Sequence, residues 1–504
     1  KCGNRRSGVV TDTGGDTMSA PLGSGEERAR AMEARPVDEP PAAVSGISID
    51  SRTLKPGDAF FAIKGDRFDG HDYATAAAAA GASVLVVSEA RLPALGRMTV
   101  PIMVVDEVLL GLARLGIAAR ERTKGQIIAV TGSAGKTTTK EALRLVLAAS
   151  GKVHASAASF NNHWGVPLTL SRMPADTHYG VFEIGMNHPG EIRPLVKMVR
   201  PHIAIITAIA SAHLGFFKNL GEIAAAKAEI FEGVEPDGHV FLNRDSEKFT
   251  ALKKAALANG ITNIHSFGEH KQSDIQLLNV ALKPGSSHAV VEIDKQVLEF
   301  EIGIPGRHIV QNALAVLGAA KFAGCDLDEA AAAFAVMEPA AGRGARHQLE
   351  IEGGSFTLID ESYNANPASM RAALELLRDT PARLRGRRGP ADAGQIHRPS
   401  HGDQRGRRTP GGSRYFLQRP ADAGAAGQPA AGGRDHRPAR TRCGVEGQTD
   451  PAAARGQVGR VAVLQPVAAD AHEFRDRRVA PRCARGRARA GCRQGRVGDG
   501  IRTR

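Results

Sequence analysis

A run between residues 129 and 140 has the spacing of a phosphate-binding loop. It reads Ala129-Val130-Thr131-Gly132-Ser133-Ala134-Gly135-Lys136-Thr137-Thr138-Thr139-Lys140 and directly follows the apolar pair Ile127-Ile128. Glycines there would let backbone N–H groups point at phosphate oxygens, while Lys136 would neutralise terminal phosphates and Thr137 would ligate magnesium. Val130 replaces the first glycine of the strict pattern, so an incidental glycine turn is the alternative. The pattern predicts a nucleotide site over residues 131–138.

A carboxylate closes the next candidate strand. The strand covers residues 179–183 and ends at Glu183, before a loop that contains glycine and proline. Carboxyl ends of parallel strands lie at one edge of a sheet, so Glu183 would lie near Thr137. Both side chains carry oxygen ligands that magnesium accepts. The pair predicts a magnesium site, with a solvated loop acid as the alternative for Glu183.

Four other polar residues have ordinary structural explanations when each is taken alone. His213 follows a strand-like run at 203–209, where a single histidine is more often structural than a ligand. Lys227 falls on an amphipathic helix, whose lysines usually face solvent. Asn161 and Asn162 precede a Trp-Gly-Val-Pro run and suit a turn. None of the four predicts a function by itself.

The elements that would position these residues alternate between strand and helix patterns. Strand patterns cover residues 47–49, 59–63, 83–87 and 102–105, and a helix pattern covers 73–80. They predict a small α/β domain. Beyond residue 106 the alternation indicates a mostly parallel, doubly wound sheet, with nucleotide at the carboxyl ends of its strands.

A third unit begins near residue 340 and stops early. It has a strand pattern at 356–360 and a helix pattern at 368–377. The sequence therefore predicts five segments. They are a leader at 1–17 upstream of the natural start, a first domain at 18–105, a central domain at 106–339, the beginning of a third domain at 340–384, and a tail at 385–504.

The tail differs sharply in composition from the rest of the chain. It holds 26 arginines, no lysine and 10 acidic residues, whereas the whole chain has a formal net charge of +13. The net positive charge of the chain therefore comes from the tail. Leu, Ile, Val and Phe make up only 13 of its 120 residues. So few apolar residues cannot build a core, and we expect the tail to be disordered.

Two explanations account for this tail. A natural segment rich in Arg, Gly and Pro could bind nucleic acid. Alternatively, a change of reading frame in a GC-rich gene yields Arg, Ala, Gly and Pro, with few Lys, Ile or Phe. No lysine follows Lys321, and the strand pattern stops inside an unfinished domain. These observations favour a frame change, and we expect no nucleic-acid partner.

Other features exclude several classes of protein. The five cysteines have no paired metal spacing and form no disulfide framework. No stretch of about 18 apolar residues suggests a membrane span, and no apolar secretory region is present near the N-terminus. We expect a cytoplasmic protein, a monomer without a membrane span.

In order along the chain, these runs resemble the ATP-dependent Mur ligases of peptidoglycan synthesis. The matching runs are the phosphate loop, Phe160-Asn161-Asn162 with Gly165-Val166-Pro167, the Glu183 run, Thr207 to His213, Ala226-Lys227-Ala228-Glu229, Gly306-Arg307-His308 with Asn312-Ala313-Leu314, and Gly342-Arg343. The block Asp360-Glu361-Ser362-Tyr363-Asn364-Ala365-Asn366-Pro367 resembles the branch that adds D-alanyl-D-alanine. Asp50-Ser51-Arg52 resembles the UDP-sugar-binding domain. The resemblance covers about residues 45–380 and implies a three-domain architecture around a central P-loop ATPase-like domain.

The resemblance also implies a reaction. ATP would phosphorylate the terminal carboxylate of UDP-N-acetylmuramoyl-tripeptide, and the amine of D-alanyl-D-alanine would attack the resulting acyl phosphate. Lys136 and Mg²⁺ would offset the crowded negative charge. ADP and phosphate would leave with the pentapeptide product.

Residue roles follow from the same resemblance. Thr137 and Glu183 would hold one metal ion, and His213 would help to hold a second. Lys227 lies where several of these ligases carry a carbamylated, metal-bridging lysine. The remaining roles are Asn312 for adenine, Arg343 for phosphates, Asp360 for ribose, Ser51, Arg52, Asn161 and Asn162 for the substrate, and Tyr363, Asn364 and Asn366 at the interdomain cleft. The resemblance implies three catalytic residues, namely Lys136, His213 and Lys227.

Two other functions stay open at this point. One is the Mur ligase that adds the third residue, diaminopimelate or lysine, to the dipeptide precursor. The other is an inactive remnant that binds nucleotide or UDP-sugar peptide, because no Leu-Gly-Asp-Met-type motif of the family follows Arg383.

Overall fold

The computed structural model describes residues 23–157, 159–211, 216–351, 354–363, 371–375 and 460–464. All of these residues belong to one compact unit, Lys1–Pro466. His213, Asn364 and Asn366 lie outside the described residues, as do the predicted leader and most of the tail. The predictions for those residues stay predictions, and so do the domain boundaries.

The first sheet buries apolar residues on both of its faces. Its strands are β1 (Arg35–Pro36), β2 (Gly46–Ser48), β3 (Asp58–Phe61), β4 (Val84–Ser88) and β5 (Ile102–Val105), in the order β1-β5-β4-β3-β2. Only β1 runs antiparallel to its neighbour. Helix α1 (Gly25–Met32) packs on one face and α2 (Ala74–Ala79) on the other. The strand patterns in the sequence fall within two residues of β2 to β5.

Helix α3 (Val108–Arg122) lies between the first sheet and the central part. Its residues Leu112 and Leu115 share a core with the first sheet and with Leu168 of helix α5 (Gly165–Ser171). Arg172, just after α5, donates from Nε to the Ile47 carbonyl oxygen at 2.7 Å. The first sheet and the central part therefore meet in a packed interface.

The central part is built on a nine-stranded sheet. Its strands are β6 (Gln126–Thr131), β7 (Val153–Ala155), β8 (Tyr179–Glu183), β9 (Ile203–Ile206), β10 (His239–Asn243), β11 (Asn263–Gly268), β12 (Ile275–Leu282), β13 (Ser287–Ile293) and β14 (Gln296–Ile302). The order is β14-β13-β12-β11-β10-β9-β6-β8-β7. Strands β6 to β12 run parallel to one another, and β12 to β14 form an antiparallel extension. The sequence patterns did not predict that extension.

Helices cover both faces of this sheet. The helices on one face are α4 (Lys136–Leu147), α9 (Arg307–Phe322) and α10 (Leu327–Ala333), and those on the other are α5, α6 (Ile192–Val199), α7 (Leu220–Ala228) and α8 (Phe249–Ala258). In β6, Ile128 packs in the core beneath α4, α9 and α10, and Ile127 packs in the core beneath α5 to α8. The two residues point to opposite faces because successive side chains of a strand alternate. The predicted doubly wound α/β sheet is confirmed.

A third sheet follows residue 344. It contains β15 (Ala345–Ile351), β16 (Gly354–Asp360) and β17 (Arg460–Leu464), with β17 parallel to β16. Residues 371–375 are helical, inside the predicted helix. Of the residues after 384, which we expect to be disordered, the structure describes only 460–464, which form β17. Four consecutive apolar residues follow Arg460 there, and such a run with two valines suits a parallel strand.

The helices of the described residues are short. The 16 residues of α9 fall below the about 20 apolar residues that a spanning helix needs. No helix in the described ranges is long and apolar enough to cross a bilayer.

Candidate active site

The phosphate loop connects the end of β6 to the first turn of α4. Gly135 precedes the helix with φ +85°, a conformation that glycine adopts at little cost. The backbone N–H of Ser133 donates to Ala208 O at 2.7 Å, and Thr207 Oγ1 donates to Ala134 O at 2.6 Å. The end of β9 therefore fixes the loop, and residues 133–138 line a cleft of about 940 Å³.

The loop has unused polar groups and a cation. Within the described part of the chain, the buried hydroxyls of Thr131 and Ser133 have no hydrogen-bond partner. Lys136 Nζ donates to Gly132 O at 3.1 Å. Burial lowers the pKa of Lys136, and the nearby Glu183 carboxylate opposes that effect. Spare donors beside an ammonium fit an anion such as a phosphate.

Glu183 lies at the mouth of the loop, as the sequence predicts. Its Oε2 accepts a hydrogen bond from Thr137 Oγ1 at 2.9 Å, and its Oε1 accepts one from Asn161 Nδ2 at 2.7 Å. Glu183 is only 1% exposed. Two donors therefore hold a buried carboxylate beside the threonine of the loop, and Asn161 contacts this carboxylate directly.

The same pair could hold a magnesium ion. No group of three or more His, Cys, Asp or Glu side chains in the described ranges could hold a metal by itself. Magnesium, however, is usually held by one or two carboxylates together with substrate phosphates and water. The Thr137 hydroxyl and the Glu183 carboxylate, which both line the cleft, fit that chemistry. His213 lies outside the described residues.

Lys227 is buried in α7 rather than on a solvated face. It is 2% exposed, and no hydrogen bond or ion pair from another described residue reaches its ammonium. Burial lowers its pKa well below the ordinary lysine value, and repulsion by Lys136 adds to the effect. The solvated alternative is therefore wrong for Lys227, and burial disfavours the charged form of its amine.

Asn312, on α9, packs against the phosphate loop. A Cβ added to Gly135 would lie 2.8 Å from Asn312 Nδ2. The asparagine is 9% exposed. The structure thus places the predicted adenine contact directly beside the loop glycine.

We expect Gly135→Ala to weaken ADP binding about tenfold, which corresponds to about 1.4 kcal/mol, because the added methyl displaces Asn312. Titration calorimetry measures this affinity. Gly324→Ala is the matched control, since Gly324 has φ +86° but no atom within 4 Å of an added Cβ. Both variants should lose about 1–2 kcal/mol of unfolding free energy to backbone strain. Equal ADP affinity in the two variants would contradict the expectation.

The opposite side of the cleft comes from the segment around the third sheet. Arg343 lies over the Tyr363 ring, with Cζ 4.4 Å from the ring centroid. Both residues line the cleft together with Glu361. Asp360 accepts a hydrogen bond at Oδ1 from Ser362 N at 3.0 Å. Glu361 therefore lines the cleft, while the Asp360 carboxylate caps a backbone turn.

Glu361 has an unusual titration behaviour. Burial and the adjacent Asp360 carboxylate raise the pKa of Glu361 to about 7, although Arg343 acts in the opposite direction. The folded protein therefore binds the Glu361 proton more tightly than the unfolded chain, whose glutamates titrate near 4.3. This stabilisation is complete below pH 4.3 and is lost as the pH rises through 7.

We expect Glu361→Gln to remove that pH dependence. Between pH 4.5 and pH 8, the unfolding free energy of the wild type should fall by on the order of 1 kcal/mol relative to the variant, after allowance for solvent screening. Denaturant titrations at both pH values measure the difference. Glu247→Gln, at an exposed glutamate, is the control, and an identical pH profile for wild type and Glu361→Gln would sink the idea.

The other predicted substrate residues have varied surroundings. Asn162 Oδ1 accepts from Gly165 N at 3.0 Å and so caps the start of α5, although Asn162 also lines the cleft. Arg52 is exposed and pairs with Asp50 at 2.7 Å. Ser51 lies in the same turn after β2. Ser51 and Arg52 do not line the cleft that contains the phosphate loop.

Sequence reasoning assigned no role to three residues that the structure brings to the site. They are Ser159, Thr207 and Glu361. Thr207 directly follows β9, at the strand edge where ligands bind in such sheets, so the topology alone could have indicated it. Glu361 stands beside another acid in the sequence, a pairing typical of raised pKa values. Ser159 carries no such signal.

Two family models match the chain. The Mur ligase middle domain matches residues 130–320, and the model described as Mur ligase family, catalytic domain, matches residues 43–120. The first match contains the phosphate loop, Glu183, Lys227 and Asn312. The second match spans β2 to β5 of the first sheet and most of α3.

Several curated proteins are similar to this chain over most of their length. The UDP-N-acetylmuramoyl-tripeptide--D-alanyl-D-alanine ligase of Rickettsia prowazekii is 35% identical over 342 residues, which are 67% of this chain and 73% of the relative. The ligase of the same name from Escherichia coli is 33% identical over 339 residues, with the same coverage.

Solved structures agree with these relatives. A crystal structure of MurF from Acinetobacter baumannii is 31% identical, covers 72% of this chain and 77% of its own, and has a TM-score of 0.63. MurF ligase from Thermotoga maritima in complex with ADP is 27% identical. The match covers 67% of this chain and 75% of the Thermotoga chain, with a TM-score of 0.56. Family models, curated relatives and structures thus agree with the motifs, and the chain belongs to the Mur ligase family.

Proposed function

We propose that the protein ligates D-alanyl-D-alanine to UDP-N-acetylmuramoyl-tripeptide, as the names of its relatives describe, and that ATP drives this reaction. The observation that carries this proposal is the buried Thr137–Glu183 pair beside Lys136, in a cleft that also contains Arg343. The relatives named for D-alanyl-D-alanine favour this reaction over addition of the third residue. The match to a MurF bound to ADP supports a nucleotide at the phosphate loop.

The phosphate loop would bind the phosphates of ATP. Its backbone N–H groups and the unpartnered Ser133 hydroxyl offer donors, and Lys136 offers a charge that deprotonated phosphates would stabilise. A bound Mg²⁺ would neutralise further charge on the phosphates. Thr137 and Glu183 are the described residues that would hold it.

The terminal carboxylate of the tripeptide would attack the γ-phosphorus of ATP, forming an acyl phosphate and releasing ADP. The amine of D-alanyl-D-alanine would then attack the acyl carbon, and phosphate would leave with the C–O bond pair. A carboxylate is a poor electrophile, so this activation is required. Lys136 and Arg343, whose positive charges influence each other, would offset the charge that accumulates on the transferred group.

For Lys227 we propose carbamylation. A neutral buried amine can attack carbon dioxide and form an N-carboxylate with loss of one proton, whereas an ammonium cannot. The lowered pKa of Lys227 and its lack of partners in the described residues support this chemistry. The product carboxylate would provide a second anionic metal ligand near Lys136. It would also replace the repulsion between Lys227 and Lys136 by an attraction.

For the nucleoside we propose that Asn312 contacts the adenine and that one acid of the Asp360–Glu361 pair accepts from the ribose hydroxyls. Asp360 already accepts from a backbone N–H, whereas Glu361 lines the cleft. These positions favour Glu361 for the ribose contact over Asp360, which the sequence resemblance had indicated.

For the second substrate we propose that Ser51 and Arg52 bind the UDP end, and that Asn161, Asn162 and Tyr363 border the peptide end. The reaction consumes ATP, so we propose that the protein acts in the cytoplasm. We also propose that it is a monomer.

The purified full chain, incubated with ATP, Mg²⁺, UDP-N-acetylmuramoyl-tripeptide and D-alanyl-D-alanine, tests this function. We expect phosphate release that requires both acceptor and donor, together with a pentapeptide product in mass spectrometry. Replacing the substrates by the dipeptide precursor with diaminopimelate or lysine should give no release. ADP binding without any phosphate release would instead support the inactive binding remnant.

A further inference from the structure

Ser159 contacts the candidate metal ligands. Its Oγ lies 3.2 Å from Thr137 Oγ1, which in turn lies 2.9 Å from Glu183 Oε2. Ser159 also lines the cleft. The three residues come from three separate segments, namely the loop after β7, the first turn of α4 and the end of β8.

The direction of these hydrogen bonds follows from the groups themselves. An ionised carboxylate accepts but cannot donate, so Thr137 donates its only hydroxyl proton to Glu183. Ser159 must therefore donate its own proton to Thr137 Oγ1. A hydroxyl oxygen has two lone pairs. One accepts from Ser159, and the other stays free for a ligand in the cleft.

Ser159 also restricts the rotamer of Thr137. A threonine in a helix divides between two χ1 rotamers, because its hydroxyl can turn toward a carbonyl of the preceding turn. The hydrogen bond from Ser159 favours the rotamer that faces Glu183. A hydroxyl already in place loses less rotational freedom when it binds a ligand.

We propose that Ser159 is a positioning residue for the metal site, which orients the Thr137 hydroxyl with its proton toward Glu183 and a lone pair toward the cleft. This inference rests on the proposed function, because it needs a metal at Thr137 and Glu183. It concerns metal affinity rather than chemistry, so it can be measured without turnover.

The probe is Mn²⁺, which is paramagnetic and can be followed by electron paramagnetic resonance on the full chain saturated with ADP. We expect Ser159→Ala to raise the Kd for Mn²⁺ about fivefold, as the loss of one hydrogen bond implies. Ser159→Thr keeps the hydroxyl and should stay within about twofold of the wild type. ADP affinity measured in EDTA should be the same in all three proteins.

Ser171→Ala is the matched control. Ser171 is a buried serine of α5 whose hydroxyl donates to Leu168 O at 2.9 Å, and it does not line the cleft. Its loss should leave the Kd for Mn²⁺ unchanged. If Ser159→Ala fails to fold, Ser159→Cys replaces it, because a thiol is a weak donor and should weaken Mn²⁺ binding similarly.

The outcomes separate the two proposals. If the wild type binds no Mn²⁺ in the presence of ADP, the metal site and the role of Ser159 both fall. If the wild type binds Mn²⁺ and Ser159→Ala binds it equally well, only the role of Ser159 falls. Tighter binding by Ser159→Ala would also overturn it, because the Ser159 hydrogen bond would then compete with the metal for Thr137.

Discussion

Replacing Lys136 by alanine is expected to lower ATP-dependent ligation by about 10²–10³-fold, because one preorganised charge on the transferred phosphoryl group is removed. The fold should persist, since the loop conformation depends on glycines and on the contacts of Ser133 and Thr207 with their neighbours. Phosphate release under saturating substrates measures the effect.

The matched control is Lys152→Ala. Lys152 is an exposed lysine of the same central part and pairs with Asp176 at the surface. Its loss should leave the rate unchanged. A Lys136→Ala enzyme within about tenfold of wild type, or roughly 1.4 kcal/mol of barrier, would show that Lys136 does not contact the reacting phosphate.

Replacing Lys227 by alanine should have a comparably large effect, because the proposed carbamate supplies a second anionic metal ligand in addition to Glu183. We expect the ligation rate to fall by about two orders of magnitude, and short carboxylates such as acetate should restore part of it. Labelled carbon dioxide should give a carbamate signal in the carbon NMR spectrum of the wild type, and this signal should be absent from the variant.

Lys253→Ala, at an exposed lysine of α8, serves as the control for an ordinary helix lysine and should retain full activity. Full activity of Lys227→Ala would refute the carbamate. Loss of activity without carboxylate rescue, and without a carbamate signal in the wild type, would instead indicate that Lys227 is needed only for packing.

The sequence predicts much of the site at the carboxyl ends of the central strands, because the local strand patterns and the parallel topology place the same residues there. Strands β6 and β8 are continuous apolar runs that end in the phosphate loop and in Glu183. The rule that parallel strands present their carboxyl ends at one edge then brings Thr137 and Glu183 together, as the 2.9 Å hydrogen bond shows. The family resemblance is confirmed by the matched models.

The remaining features depend on contacts between distant segments, which single-sequence patterns do not contain. The burial of Lys227 was missed because a helix of mixed composition does not show which of its faces meets the loop. The antiparallel strands β12 to β14 were overlooked, although the alternation of buried and more exposed residues in β13 and β14 is typical of half-buried strands. The raised pKa of Glu361 depends on burial and Asp360, of which only the acid pair was visible.

The packed contact between the first sheet and the central part also fixes the distance between the substrate residues predicted on the first sheet and the phosphate loop. Arg172 is bonded to Ile47, four residues before Ser51, and a Cβ on Gly65 would touch Trp164 at 2.7 Å. If Ser51 and Arg52 hold the UDP end, the distance from there to Lys136 is set by this contact. One peptide residue spans about 3.3–3.6 Å, as much as the whole approach distance of two reacting atoms. The terminal carboxylate of a precursor shorter by one residue would therefore lie too far from the γ-phosphate of ATP to react. The enzyme would then discriminate between precursors by the length of their peptide, independently of the side chains in that peptide.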